Sequence, residues 1–305
     1  MKTPTINRIL VPVDPDNLSL EIINLVIAMS QRHKAEIRLL HVINPEQYAF
    51  IPVDGLAVSV PREEAIKTDT QRLQQWASAT LSDQAFSYTV ECRTGGLAVR
   101  IVDAATDLKA DLIVMSKPGT SGLLQYMIGS EAYYVIKHAP CSVMTVPEHA
   151  SVRDFHQILF PLRTVQGVET KYDFARTIVR QNNAHLTILG LHNQHDHEEG
   201  KVLNGKLALL KKWTMEDSIE TDMLLSETDS AVNTVLQQAE EQKADLIIIT
   251  ADSAANVRQL FTGPFFKQII SRATIPVLSI KPQTAVLENC HPVKETLVTQ
   301  FSKTV

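Results

Sequence analysis

No apolar run in the sequence approaches the roughly 20 residues that a helix needs to cross a bilayer, which argues against a membrane-spanning protein. The residues after Met1 run within ten positions into a strand-like segment, without the apolar core of a signal peptide, so the cytoplasm is the expected compartment. Cysteine is scarce. Cys92, Cys141 and Cys290 are odd in number, far apart and without metal-type spacing, which excludes a disulfide framework and points to reduced thiols. There is no excess of positive charge either. A formal net charge of −5 argues against a general electrostatic grip on nucleic acid, and leaves only a local basic patch open. Missing too is a Gly-x4-Gly-Lys-Ser/Thr loop, and with it the usual phosphate cradle of an ATP-hydrolysing enzyme.

What is present is ordinary globular composition, 44% hydrophobic and 21% charged, over a 305-residue length that suits two domains. The decisive feature is an internal repeat. Ile9-Leu-Val-Pro-Val-Asp14 reads like Ile158-Leu-Phe-Pro-Leu-Arg163, and Ala35–Val42 reads like Ala184–Leu191, both at an offset of 149 positions. Further on, Lys109-Ala-Asp-Leu-Ile returns in full as Lys243-Ala-Asp-Leu-Ile. Gly129 and Val143 correspond to Gly263 and Val277, all at an offset of 134. The first copy is therefore 15 residues longer between its second and third strands, and Pro45–Pro61 is the expected place. The expected domains are residues 1–147 and 154–282, with 283–305 as a C-terminal tail.

Inside each copy short apolar runs alternate with amphipathic stretches. Ile9–Val13, Ile37–Val42, Ser87–Cys92, Leu112–Met115 and Ser142–Val146 read as strands. Segments 19–32, 62–81, 97–108 and 130–138 read as helices. Alternation of this kind predicts α/β architecture: two tandem open five-stranded parallel-sheet (Rossmann-like) domains with helices on both faces. Such sheets bind ligands at the carboxyl ends of their strands. Three places there draw attention in the first copy. Asp14 follows the first strand, where a carboxylate accepts hydrogen bonds from a ribose hydroxyl or a base amino group; Asp14-Pro-Asp-Asn is equally a run of turn formers. Ser116-Lys-Pro-Gly119 follows the fourth strand. Gly129-Ser130 opens the fourth helix, where unpartnered N–H groups suit an anion, or simply start a helix well.

The spacing Ser116-x2-Gly119-x9-Gly129-Ser130, with Ala110–Met115 before it, Lys137-His-Ala-Pro-Cys141 after it and the strands Ile9–Asp14 and Leu40–Val42, resembles the universal stress protein family. Its ATP-binding members carry Gly-x2-Gly-x9-Gly-Ser/Thr. The resemblance covers nearly all of residues 5–147 and 154–282, as in a tandem member. It implies that ATP or a related adenine nucleotide is the cofactor, with Asp14 and Val42 bordering the adenosine, Met115 and Ser116 lining it, and Gly119, Gly129 and Ser130 facing the phosphates. Ser116 departs from the first motif glycine, and Glu131 brings a negative charge beside Ser130. The second copy departs further: Arg163 stands for Asp14, Thr250 and Ser253 for the first two motif glycines and Pro264 for the serine, which marks it as a degenerate copy. The resemblance also implies pairing of the last strands, here Ser142–Val146 with Val277–Ile280, as an intramolecular pseudo-dimer, and a homodimer of chains.

The function this implies is nucleotide-dependent regulation in a stress response, with an interaction scaffold independent of nucleotide as the alternative and a slow ATPase behind both. No catalytic residues are assigned. His192, His195 and His197, with Asp196, Glu198 and Glu199, form a cluster of metal-ligand types, but in a polar segment where solvated histidines are common, so no metal site is expected.

Overall fold

The computed structural model describes residues 4–16, 18–43, 51–53, 56–58, 62–81, 86–117, 129–148, 150, 152–163, 168–193, 197–250 and 265–281. In chain order the first copy runs β1 (Arg8–Pro12), α1 (Leu20–His33), β2 (Glu36–Ile43), β3 (Ile51–Val53), β4 (Leu56–Val58), α2 (Arg62–Leu81), β5 (Tyr88–Thr94), α3 (Leu97–Leu108), β6 (Leu112–Lys117), α4 (Ser130–His138) and β7 (Ser142–Pro147). The second runs β8 (Gln157–Leu162), α5 (Val168–Asn182), β9 (His185–His192), α6 (His197–Glu216), β10 (Thr221–Glu227), α7 (Ala231–Glu241), β11 (Leu246–Thr250), α8 (Phe265–Arg272) and β12 (Val277–Ile280).

Ten strands form one sheet in the order β10-β9-β8-β11-β12-β7-β6-β1-β2-β5. Each half is a five-stranded parallel sheet. The one antiparallel contact in it joins the halves, Val277 opposite Thr145 and Ser279 opposite Val143. Pairing these two strands removes two edges that would otherwise present unpaired backbone groups. β3 and β4 make a separate antiparallel hairpin.

The halves repeat in backbone detail as well as in order. The helices before β2 and β9 end on left-handed residues, Lys34 (φ 55°) and Asn183 (φ 50°), and those before β6 and β11 are followed by Lys109 (φ 52°) and Lys243 (φ 50°). The repeated Lys-Ala-Asp has a physical reason. Asp111 Oδ2 accepts the N–H groups of Asn7 and Arg8 at 2.9 Å each, which fixes the start of β1. Asp245 does the same for His156 (2.6 Å) and Gln157 (3.2 Å) ahead of β8. The two copies differ most after their second strands. Residues 44–61, with the β3–β4 hairpin, join β2 to α2, whereas residues 193–196 suffice between β9 and α6. The extra length of the first copy thus falls there, at the strand end of the sheet.

Helices cover both faces. Residues of α1, α2, α5 and α6 build one apolar layer around Ile9, Leu39, Phe160 and Ile188; those of α3, α4, α7 and α8 build the other around Leu10, Ile113, Leu189 and Ile247. Alternate strand residues feed opposite layers, as the period of two requires. Both layers run through the two halves without a break.

The β7–β12 junction is flanked by side chains from both copies. Tyr133 of α4 stacks on Phe266 of α8, with centroids 5.7 Å apart and planes within 1°. Lys117 Nζ, at the end of β6, donates to the carbonyls of Ser271 and Ala273 (2.5 and 3.2 Å), and Lys281 Nζ donates to that of Lys137 (2.9 Å). Each lysine meets carbonyls at the C-terminus of a helix in the other copy, where a cation is favoured. Removing the Lys117 ammonium strands those carbonyls, so Lys117→Met is expected to lower stability by about 1–2 kcal/mol in denaturant unfolding.

Candidate nucleotide site

The strand order within the first half, β7-β6-β1-β2-β5, reverses direction beside β1, and the crevice at the carboxyl ends of β1 and β6 is the place such a sheet offers a ligand. Pro12 is in register with Leu40, so Asp14 lies beyond the end of β1 at the level of Val42 on β2. Met115 and Ser116 form the end of β6, with Met115 buried and Ser116 half-buried in register with Val146. Val42 packs against the same apolar layer as Met115. Gly129 and Ser130 open α4, and among the described residues no side chain caps that helix. Gly119 lies outside the described residues. Six of the seven residues singled out in the sequence thus stand at one end of the sheet.

The chemistry of each is specific. Asp14 is exposed, and its Oδ1 accepts the Asp16 N–H at 3.1 Å, which orders the turn after β1. Gly129 has φ −58°, which any residue adopts, so the backbone there does not itself demand glycine. Glu131, whose charge raised the question of repulsion, is turned away: its Oε2 accepts the Ala98 N–H at 2.7 Å and so caps the first turn of α3. Gly95, after β5, does need to be glycine. Its φ is +134°, and a Cβ would stand 2.9 Å from Arg100 Nε.

A polar link that sequence reasoning missed holds the Asp14 turn to α2. His41 Nδ1 lies 3.1 Å from the Val13 carbonyl, an acceptor, so that nitrogen carries the proton. His41 Nε2 is 3.7 Å from Asp69 Oδ2, and Asp69 is 2% exposed. Arg72 bridges Asp69 (3.4 Å) and Asp16 (2.6 Å). Cys92 borders the cluster, and burial raises its thiol pKa. In the second copy Gly190 stands for His41, and a Cβ there would meet Leu203, Leu207 and Leu225 at 3.1–3.3 Å. Leucines fill the space that the polar link occupies in the first copy. Asp69→Ala removes the buried carboxylate that faces both His41 and Arg72 and is expected to cost about 1–3 kcal/mol. Arg72→Ala, at a half-exposed pair, is expected to cost under about 1 kcal/mol; chemical unfolding of both variants checks the contrast.

The remaining sequence candidates separate. His192, at the end of β9, has Nε2 3.8 Å from Glu227 Oε1 and Nδ1 3.2 Å from the Asn193 carbonyl. His195, Asp196 and the side chains of His197 and Glu199 lie outside the described residues, as do Ser253, Gly263 and Pro264. Among the described residues no three metal-ligand side chains come together, and no helix is long and apolar enough to cross a membrane.

The model of the universal stress protein family matches residues 5–147. A universal stress protein of Methanocaldococcus jannaschii is 30% identical over 139 residues, which are 46% of this chain and 81% of that protein. The chain belongs to the universal stress protein family. A second family member, from Synechocystis, is 24% identical over 148 residues, 46% of this chain and 96% of its own length. Each of these relatives corresponds to about half of this universal stress protein. The crystal structure of a universal stress protein from Archaeoglobus fulgidus extends the likeness of fold to both halves, covering 91% of this chain and 97% of its own with a TM-score of 0.69 at 17% identity.

Proposed function

We propose that this universal stress protein binds ATP or a related adenine nucleotide in its first copy and uses it to regulate a partner or a conformation in a stress response. What supports this reading is placement: Asp14, Val42, Met115 and Ser116 lie at or just past the carboxyl ends of β1, β2 and β6, and Gly129 and Ser130 open the helix α4 that comes after β6 in the chain. Asp14 accepts from the adenosine, Val42 and Met115 supply apolar contact, and the uncapped N-terminus of α4 with the Ser130 hydroxyl receives phosphate oxygens. Gly119 belongs to the same set by its place in the motif. Chemistry on the nucleotide is not part of the proposal; binding acts by shifting an equilibrium between states.

The units of this organisation are residues 1–147 and 154–282, followed by the tail 283–305. In our reading the second copy is retained for its fold and for the β7–β12 pairing, which makes the chain an intramolecular counterpart of a dimer, with a homodimer of chains as a further level of assembly. The protein works in the cytoplasm. One observation favours the rival reading, a nucleotide-independent scaffold: an Asp14 oxygen is already committed to the Asp16 N–H. Mass spectrometry of small molecules released from the purified protein separates the two. Stoichiometric adenine nucleotide supports the proposal, and a protein that neither releases nor rebinds one supports the scaffold.

A further inference from the structure

The second copy has a cleft of its own at the sheet end equivalent to the first copy's candidate site. It measures about 110 Å³ and lies between Arg163, the end of β9 at Leu191–Asn193, and Thr228, Asp229 and Ala231 ahead of α7. Arg163 follows β8 as Asp14 follows β1, so a cation stands where the first copy has an anion. Its guanidinium lies over the Phe265 ring, 5.3 Å from the centroid, and among the described residues no carboxylate pairs with it.

The neighbouring helix end differs between the copies in a complementary way. In the first copy the initial turn of α3 already holds a carboxylate, since Glu131 accepts the Ala98 N–H. At an offset of 134 the counterparts are Phe265 and Val232. Phenylalanine brings a ring in place of a carboxylate, and among the described residues no side chain caps α7. Thr228 Oγ1 instead accepts the Ser230 N–H (3.0 Å) and a bond from Thr234 (2.8 Å), which orders the turn beside the cleft.

We propose that this cleft binds a small oxyanion, a phosphate or carboxylate group held between the Arg163 guanidinium and the first N–H groups of α7. The bound group takes the place that the Glu131 side chain fills in the first copy. The described lining offers one cation beside one helix N-terminus, which suits a small anionic group. Asp229 borders the cleft and repels a bare anion, so a ligand that carries a hydroxyl beside its oxyanion fits best. His192 is engaged with Glu227 and the Asn193 carbonyl and serves as wall. The two copies then hold different ligands at equivalent places: an adenine nucleotide in the first, a small acid in the second.

The test is amide and arginine side-chain NMR of the full chain, titrated separately with inorganic phosphate and with malate. Saturable shifts centred on Ala231, Val232 and the Arg163 guanidinium are expected, and the stronger probe tells whether phosphate or a hydroxy acid is preferred. Arg163→Met is expected to weaken binding at least about tenfold, as loss of a charge-assisted bond does. Phe265→Glu restores the internal carboxylate of the first copy and is expected to abolish binding while leaving the spectrum of a folded second copy. No saturable shift from either probe, shifts centred on Ser130 instead, or binding unchanged in both variants overturns the proposal.

Discussion

Replacing Lys171 with isoleucine is expected to stabilise the protein below pH 7, by an amount on the order of a few kcal/mol. Lys171 lies on α5 among core residues, 5% exposed, where the first copy has Ile22. Its Nζ donates to the Pro161 carbonyl at 2.5 Å and sits 4.0 Å from the centroid of the Phe160 ring. Burial lowers its pKa from 10.5 to about 7. The sign follows from linkage. Between about pH 7 and 10.5 the unfolded chain holds a proton that the folded chain has released, so stability rises with pH across that window, by up to about 1.4 kcal/mol per pH unit. Below pH 7 both states are protonated and the full penalty applies; above 10.5 it is gone. Lys171→Ile removes the penalty and this part of the slope together. Unfolding in denaturant at pH 6, 8 and 10 reads both. A variant less stable than the parent at pH 6, or with an unchanged slope, contradicts the assignment of Lys171 as a buried base.

The second large effect is on binding. Gly129→Leu is expected to weaken adenine-nucleotide binding at least about 100-fold, roughly 3 kcal/mol, because a branched side chain at the N-cap of α4 fills the space where phosphate oxygens approach the helix N–H groups. The φ of −58° suits leucine, so folding is expected to lose only about 1 kcal/mol, through the poorer N-cap. Ser130→Ala removes one donor and should cost binding about 0.5–1.5 kcal/mol. Equilibrium binding of a fluorescent ATP analogue, read beside thermal unfolding, separates the two effects. Equal affinity of Gly129→Leu and parent would remove α4 from the site.

Much of this architecture is legible in the sequence because its signals are local. The period-two strands and the repeated Lys-Ala-Asp are set within a few residues of one another, and Asp111 and Asp245 must recur because each fixes the start of a first strand. The insertion is legible as a length difference, whereas its β3–β4 hairpin is not: two three-residue strands leave no periodicity to count. The link from His41 through Asp69 and Arg72 to Asp16 is hidden for another reason. Its members lie on β2, α2 and the β1–α1 turn, and a single histidine in an apolar strand says nothing of what faces it. A usable signal was Asp69 on the same helix face as Leu73 and Ala77, both buried. The turn of Glu131 toward Ala98 likewise depends on how α3 and α4 pack, so the sequence alone left its charge beside the phosphate position. Lys171 was readable in principle, as a lysine on the apolar face of an amphipathic helix.

The central claim is asymmetric: one adenine nucleotide per chain, held by the first copy. Isothermal calorimetry of the full chain with ATP tests it most directly. The account predicts one site per chain, lost in Gly129→Leu and retained in Arg163→Met. Two sites per chain, or one that survives Gly129→Leu and disappears in Arg163→Met, would contradict it.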